Sequence, residues 1–254
     1  MTAILLFTII LTAGLFGMMG LGGGVIYVPI LAWYGLDFRT GAIPLSLLLV
    51  TTTGMTAAYT YFRARLVHLR IGAAAIATAF IGAPAGAYVL RHISTGVIKI
   101  LFAGVAFYAS LRILASQDPD PDRTVDPKLA VTGALFIGFF SGFSSGLLGV
   151  SGALFILPFL LSIGYPTKEA VATSAMVVTF SALSAFLTHL QWATFDPSLA
   201  VLLVLGVAIG SRMGGLWTSR RARPRTLRRI VGVIILIISV KVAVEGFLQM
   251  LAGP

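Results

Sequence analysis

The chain has 254 residues, 58% of them hydrophobic and only 10% charged, with a formal net charge of +10 and no cysteine. That charge is too sparse to cover a soluble domain of this length, so most side chains must face lipid or other protein. Disulfides and thiolate metal sites are excluded, and His68, His92 and His189 lie too far apart to show metal-ligand spacing.

Apolar runs between charged or Pro/Gly breaks predict hydrophobic regions at 2–34, 41–62, 70–90, 95–114, 129–164, 169–190, 197–217 and 228–250. Most match the roughly 20 residues that cross a bilayer core. Stretches such as Ile230–Val244 are apolar on every face, which reads as helix and not as the alternating strands of a barrel. The expected fold class is therefore all-α, a polytopic helical membrane protein. Residues 1–34 carry no basic n-region and form too long an apolar stretch for a cleavable signal peptide.

The first region is too long for one crossing and holds Gly14, Gly17, Gly20, Gly22, Gly23 and Gly24. Each glycine costs a helix about 1 kcal/mol relative to alanine, so Gly22, Gly23 and Gly24 predict a break. Broken backbone at membrane depth survives only where protein buries it or it lines a wet cavity. A helix restarting there would aim free N–H groups and its positive dipole end inward, as an anion site requires. The second region carries hydroxyls at Ser46, Thr51, Thr52 and Thr53. They are candidate donors, although membrane threonines often bond their own helix. A basic loop with Arg63, Arg65 and Arg70 follows.

Residues 116–128 hold three prolines and four aspartates and read as a solvated linker. They divide the chain into an N-terminal transmembrane repeat, 1–115, and a C-terminal one, 129–254. The fifth region is again overlong and glycine-broken, with Gly138, Gly142, Gly146, Gly149 and Gly152 among Ser141, Ser144, Ser145 and Ser151. For Gly138 and Gly142 the small-residue spacing favours helix contact, and for Ser151 and Gly152 a break. Further along, Thr173 and Ser174 add hydroxyls, and His189 closes its segment as an interfacial anchor. Arg212 lies within an apolar segment, either as an anion ligand or as a chain snorkelling to the surface. Lys241 and Glu245 have the i, i+4 spacing of a helix-surface ion pair. Trp33, Tyr34, Trp192 and Trp217 read as aromatic belt residues.

The halves match in order. Gly20, Gly23 and Pro29 fall on Gly149, Gly152 and Pro158 at an offset of 129, while Ser46, Gly82 and Gly86 fall on Ser174, Gly210 and Gly214 at 128. Several coincidences at nearly constant offset argue for duplication. The basic loop, however, changes place within the repeat. It follows the second region in the first half and, as Arg220, Arg221, Arg223, Arg225, Arg228 and Arg229, precedes the last region in the second. With both basic loops cytoplasmic, the repeats are inverted, each a Gly-broken first segment plus three transmembrane helices. Loops 63–70 and 218–229 then face the cytoplasm of a bacterial inner membrane, with both termini periplasmic. The broken segments are either re-entrant hairpins or paired short spans.

Gly17-x-x-Gly20-x-Gly22-Gly23-Gly24-x-x-x-x-Pro29, its copy Gly146-x-x-Gly149-x-Ser151-Gly152-x-x-x-x-x-Pro158, Ala172-Thr173-Ser174 and the pairs Gly82/Gly86 and Gly210/Gly214 together carry a likeness. Over nearly its whole length the chain resembles the sulfite exporter TauE/SafE family of membrane transporters. The first half departs from the pattern at Ile43-Pro44-Leu45-Ser46. The resemblance implies transport of small sulfur-containing anions such as sulfite or organosulfonates, often outward.

The expectation is a secondary transporter of such anions, without cofactor, working by alternating access. The substrate-binding candidates are Gly22, Gly23, Gly24, Ser46, Thr51, Thr52, Ser151, Gly152, Thr173, Ser174 and Arg212. Its partners are the small inorganic or organic anion and the lipid bilayer. Nucleic acid is not expected, and a homodimer is compatible with the sequence. No Walker-type loop and no nucleophile–base or metal constellation appears, which argues against an ATPase or another enzyme. The alternatives are an anion channel and a transporter of a non-sulfur organic anion.

Overall fold

A computed structural model describes residues 2–19, 22–115, 127–218 and 224–251. All regular structure among these residues is helical: α1 Thr2–Met19, α2 Gly24–Trp33, α3 Ile43–Arg63, α4 Leu69–His92, α5 Thr95–Ala115, α6 Pro127–Leu148, α7 Ala153–Ser162, α8 Thr167–His189, α9 Pro197–Thr218 and α10 Pro224–Leu251. A π-helical turn, Phe38–Ala42, leads into α3. Among the described residues, seven helices are long and apolar enough to cross a membrane. The linker residues 116–126 and the basic residues 219–223 lie outside the described residues, as does Gly20.

Each overlong apolar region is two helices. The first divides into α1 and α2, the fifth into α6 and α7. With 10 residues each, α2 and α7 rise about 15 Å, half a bilayer core. Pro29 and Pro158 occupy the same place within these two short helices.

Packing crosses between the halves. The glycine stripe of α6 lies on α4, where a Cβ at Gly138, Gly142 or Gly146 would overlap the carbonyl oxygen of Ala75, Ala79 or Ala83 respectively. In return, Gly82 and Gly86 lie against the backbone of Phe139 and Phe143. Residue numbers rise together along the contact, so α4 and α6 run parallel. The corresponding helices, α9 and α1, pack the same way: Gly206 meets Leu6, Gly210 meets Ile10 and Gly214 meets Gly14. Small residues let backbones approach within van der Waals range where lipid supplies no hydrophobic drive between helices. Gly138 and Gly142 thus serve contact, as their spacing predicts.

Two further pairs join equivalent helices. α5 and α10 run antiparallel, with Gly96 against Met250 and Gly232 against Leu114. α3 and α8 cross at Gly54 and Thr179 and are the most buried of the long helices, so they form the centre. Ser211 Oγ lies 2.8 Å from Thr56 Oγ1 and ties α9 to α3, while Gly17 of α1 packs on the Ser211 backbone.

Candidate functional site

The two breaks meet. α6 ends at Gly149, whose φ of +66° is the left-handed conformation that terminates a helix without side-chain strain. Gly22 and Gly23, at φ +75° and +78°, turn the chain into α2 the same way. Gly24 then lies on the second break. A Cβ there would stand 2.5 Å from the Gly149 carbonyl oxygen and 3.0 Å from the Ser151 nitrogen. A Cβ at Gly22 would stand 2.9 Å from both Ser151 Oγ and a Val178 methyl, with Val50 close behind. Val50 of α3 and Val178 of α8 are equivalents at the 128 offset, so the junction sits between the central pair.

Side chains satisfy much of the exposed backbone. Ser46 Oγ donates to the Gly149 carbonyl (3.3 Å), Ser145 Oγ to the Val150 carbonyl (3.0 Å), and the Ala153 N–H donates to Ser151 Oγ (3.3 Å). Five predicted residues are therefore drawn together at the junction: Gly22, Gly24, Ser46, Ser151 and Gly152. Gly23 is filled differently. A Cβ there would stand 2.8 Å from the Tyr27 ring, and Tyr27 Oη lies 3.1 Å from Thr53 Oγ1.

The other candidates spread outward. Thr51 and Thr52 donate to the carbonyls of Leu47 and Leu48, and Ser174 donates to Val171, so each hydroxyl bonds its own helix. Thr173 Oγ1 accepts the His68 N–H at 3.0 Å and anchors the loop between α3 and α4. Arg212 is exposed on α9, next to the inward-facing Ser211. It stands apart from the junction, in the manner of a snorkelling chain.

Three residues at the junction escaped prediction. Tyr27 is fully buried beneath the first break. His189, expected as an interfacial anchor, is also fully buried. Its Nε2 lies 2.7 Å from the Gly146 carbonyl and its Nδ1 accepts the Trp192 indole N–H at 3.1 Å. An N–H donating to Nδ1 leaves the proton on Nε2, so the ring is the neutral tautomer that donates to Gly146. The Arg91 guanidinium lies 4.9 Å from the Trp192 ring centroid and closes this chain of contacts over the end of α4. The third is Ser141, fully buried in α6, where a Cβ at Gly152 would overlap its hydroxyl.

Ionic groups gather at the helix ends. Glu245 Oε1 accepts the Trp33 indole N–H at 3.0 Å and lies 4.0 Å from Lys241, while Lys99 approaches Oε2 at 3.9 Å. The predicted Lys241–Glu245 pair is thus part of a cluster that fastens the end of α2 to α5 and α10. Elsewhere, His68 pairs with Glu169 beside a cavity of about 360 Å³ lined by Arg70, Val131 and Tyr165. In the turn before α3, partial burial raises the Asp37 carboxyl. The Thr40 and Arg39 N–H groups, the Thr40 hydroxyl and the Arg39 charge outweigh that and hold it below the usual carboxylate range. Thr194 donates to the Thr40 carbonyl (2.8 Å), docking the α8–α9 loop on this turn.

Comparison with known proteins bears directly on this architecture. The family model described as Sulfite exporter TauE/SafE matches residues 5–242, through both breaks and at least part of every long helix. The chain belongs to the sulfite exporter TauE/SafE family. Its relatives include the probable membrane transporter protein YunE of Bacillus subtilis, 24% identical over 97% of this chain and 99% of the relative. The probable membrane transporter protein YfcA of Escherichia coli is 20% identical over 95% of the chain and 89% of its own length. YdhB of Bacillus subtilis, described in the same words, is 23% identical over 80% of the chain and 84% of its own length. No solved structure matches. As a TauE/SafE protein, the chain is a multi-pass membrane transporter and not an enzyme.

Proposed function

We propose that this chain is a secondary transporter of small sulfur-containing oxoanions, such as sulfite or an organosulfonate, in a bacterial inner membrane, where it exports them. The reading rests on one observation above others, the contact of Gly22 and Gly24 with the Gly149–Ser151 backbone. Two short helices begin there, and their amino ends carry partial positive charge and N–H donors suited to an anion. A pair of half-helix amino ends inside a membrane bundle is a recurring substrate site in transporters built from repeats. Gly22, Gly23, Gly24, Ser46, Ser151 and Gly152 line this site, with Thr51, Thr52 and Ser174 close by along the central helices. Thr173 and Arg212 lie away from it, the first holding the α3–α4 loop and the second exposed on α9. The energy source is an ion gradient or the gradient of the anion itself.

The repeats are inverted. Equivalent helices related by an axis in the membrane plane must run antiparallel, and the α5–α10 contact supports this. The basic loops then share the cytoplasmic side. With Arg65→Cys and Arg223→Cys introduced singly, both positions should react with an impermeant thiol reagent added from the cytoplasm; labelling from opposite sides would show parallel halves.

The substrate class is tested by melting the purified protein with sulfite, sulfate, thiosulfate, sulfoacetate and simple carboxylates. A rise in melting temperature with at least one sulfur anion is expected, growing with concentration as ligand linkage requires. A flat response to all of them, beside a clear shift for another solute, would sink the sulfur reading. An anion channel of the same architecture would show no acceleration of uptake by substrate on the opposite side.

A further inference from the structure

The duplicated breaks differ in chemistry, and one serine marks the difference. The Ser141 hydroxyl is fully buried and, among the described residues, has no hydrogen-bond partner. An unpaired buried hydroxyl is a net destabilisation, so its presence within an apolar helix calls for a use. It points at Gly152, the residue that opens α7. Around it, acceptors are largely consumed. The carbonyls of Gly146, Gly149 and Val150 receive His189, Ser46 and Ser145. The carbonyls of Ser151 and Gly152 receive the N–H groups of Leu154, Phe155 and Ile156. The N–H groups of Val150, Ser151 and Gly152 donate to no acceptor among the described residues. Donors in excess, at the amino end of a 10-residue helix, select an acceptor-rich ligand.

At the first break the N–H groups of Gly22, Gly23 and Gly24 likewise donate to no acceptor among the described residues, but no unpartnered hydroxyl stands beside them. At the 129 offset Ser141 falls on Thr12, which already donates to the Thr8 carbonyl at 2.8 Å. Ser144 and Ser145 fall on Leu15 and Phe16, and Ile156 falls on Tyr27, whose ring covers Gly23.

We propose that Ser141 is a substrate-binding residue, its hydroxyl and the amino end of α7 together forming the oxoanion subsite, while the Tyr27-covered break faces the uncharged part of the ligand. This assignment rests on the transporter reading above and makes the site directional: an anion enters with its oxygens toward α7.

The test is titration calorimetry of the full chain in nanodiscs with sulfite, sulfoacetate, acetate and inorganic phosphate as probes. Ser141→Ala is expected to weaken the best-bound probe roughly ten- to a hundred-fold, the loss of one hydrogen bond to a charged acceptor. Thr12→Ala is expected to leave affinity unchanged. Without ligand, Ser141→Ala should melt at or above the wild-type temperature, because the substitution removes an unsatisfied group. Equal affinity in Ser141→Ala and wild type, or a lowered apo melting temperature with unchanged affinity, overturns the assignment but leaves the sulfur-anion reading intact. Weakened binding of acetate or phosphate, where no sulfur anion binds the wild type, sustains the assignment and removes the sulfur reading. Wild type that binds none of the probes overturns both.

Discussion

Gly24→Ala is expected to abolish transport. Its Cβ would be driven 2.5 Å from the Gly149 carbonyl oxygen and 3.0 Å from both the Ser151 nitrogen and a Val50 methyl. Two of these are backbone atoms of the other half, and no rotamer change moves them aside. Overpacking of this kind costs about 1–3 kcal/mol, and here the breaks must separate to relieve it. The proposed site would then lose its geometry before the bundle loses its fold. We expect flux into proteoliposomes to drop to the protein-free background and the melting temperature to fall by several degrees, on the order expected for that cost. Gly104→Ala is the matched control. Among the described residues nothing lies within 4 Å of its Cβ, so the substitution should keep full flux and add up to about 1 kcal/mol of helix propensity. Full flux in Gly24→Ala, at an unchanged melting temperature, would show that the breaks need not touch.

The second large effect is expected at His189. The Gly146 carbonyl stands in the last turn of α6, where no following N–H reaches it, and the His189 Nε2–H supplies the missing donor at 2.7 Å. His189→Leu keeps the bulk and removes both the donor and the acceptor for Trp192. The orphaned carbonyl costs about 1–3 kcal/mol, and the indole N–H loses its partner as well. The variant should melt well below wild type, with transport lost in proportion as the end of α6 loosens. His189→Gln, which offers a donor amide and a carbonyl acceptor, should recover much of the difference. Identical melting of the Leu variant and wild type would remove His189 from the support of the break.

Much of this architecture was legible in the sequence because it rests on local chemistry. Gly22–Gly24 and Gly149–Gly152 interrupt apolar runs and cost helix stability wherever the chain sits. The 128–129 offset is a property of residue order alone. What the sequence could not disclose was which faces meet. The Gly138–Gly142–Gly146 stripe announces a close contact but does not name α4 as its partner, since lipid is as apolar as any helix face. Arg212 and Ser211 are neighbours in sequence, yet one is exposed and the other packs on α1, a matter of helix rotation. Thr173 and Ser174, read as a pair, separate for the same reason. Tyr27 and Ser141 carried a faint signal. Each sits opposite a chemically different residue at the 129 offset, Ile156 and Thr12, and the proposed division of the site falls at those mismatches.

The exchange of helices between halves bears on how the protein is made. α4 finds its closest neighbour in α6, which the ribosome synthesises only after α5 and the linker. Until then the small-residue face of α4 waits in the bilayer uncovered, and α1 waits longer still for α9. The N-terminal half is therefore not a folding unit that a second copy later joins. Its assembly is deferred to the end of synthesis, and a chain truncated at the linker should be degraded rather than accumulate as half a transporter.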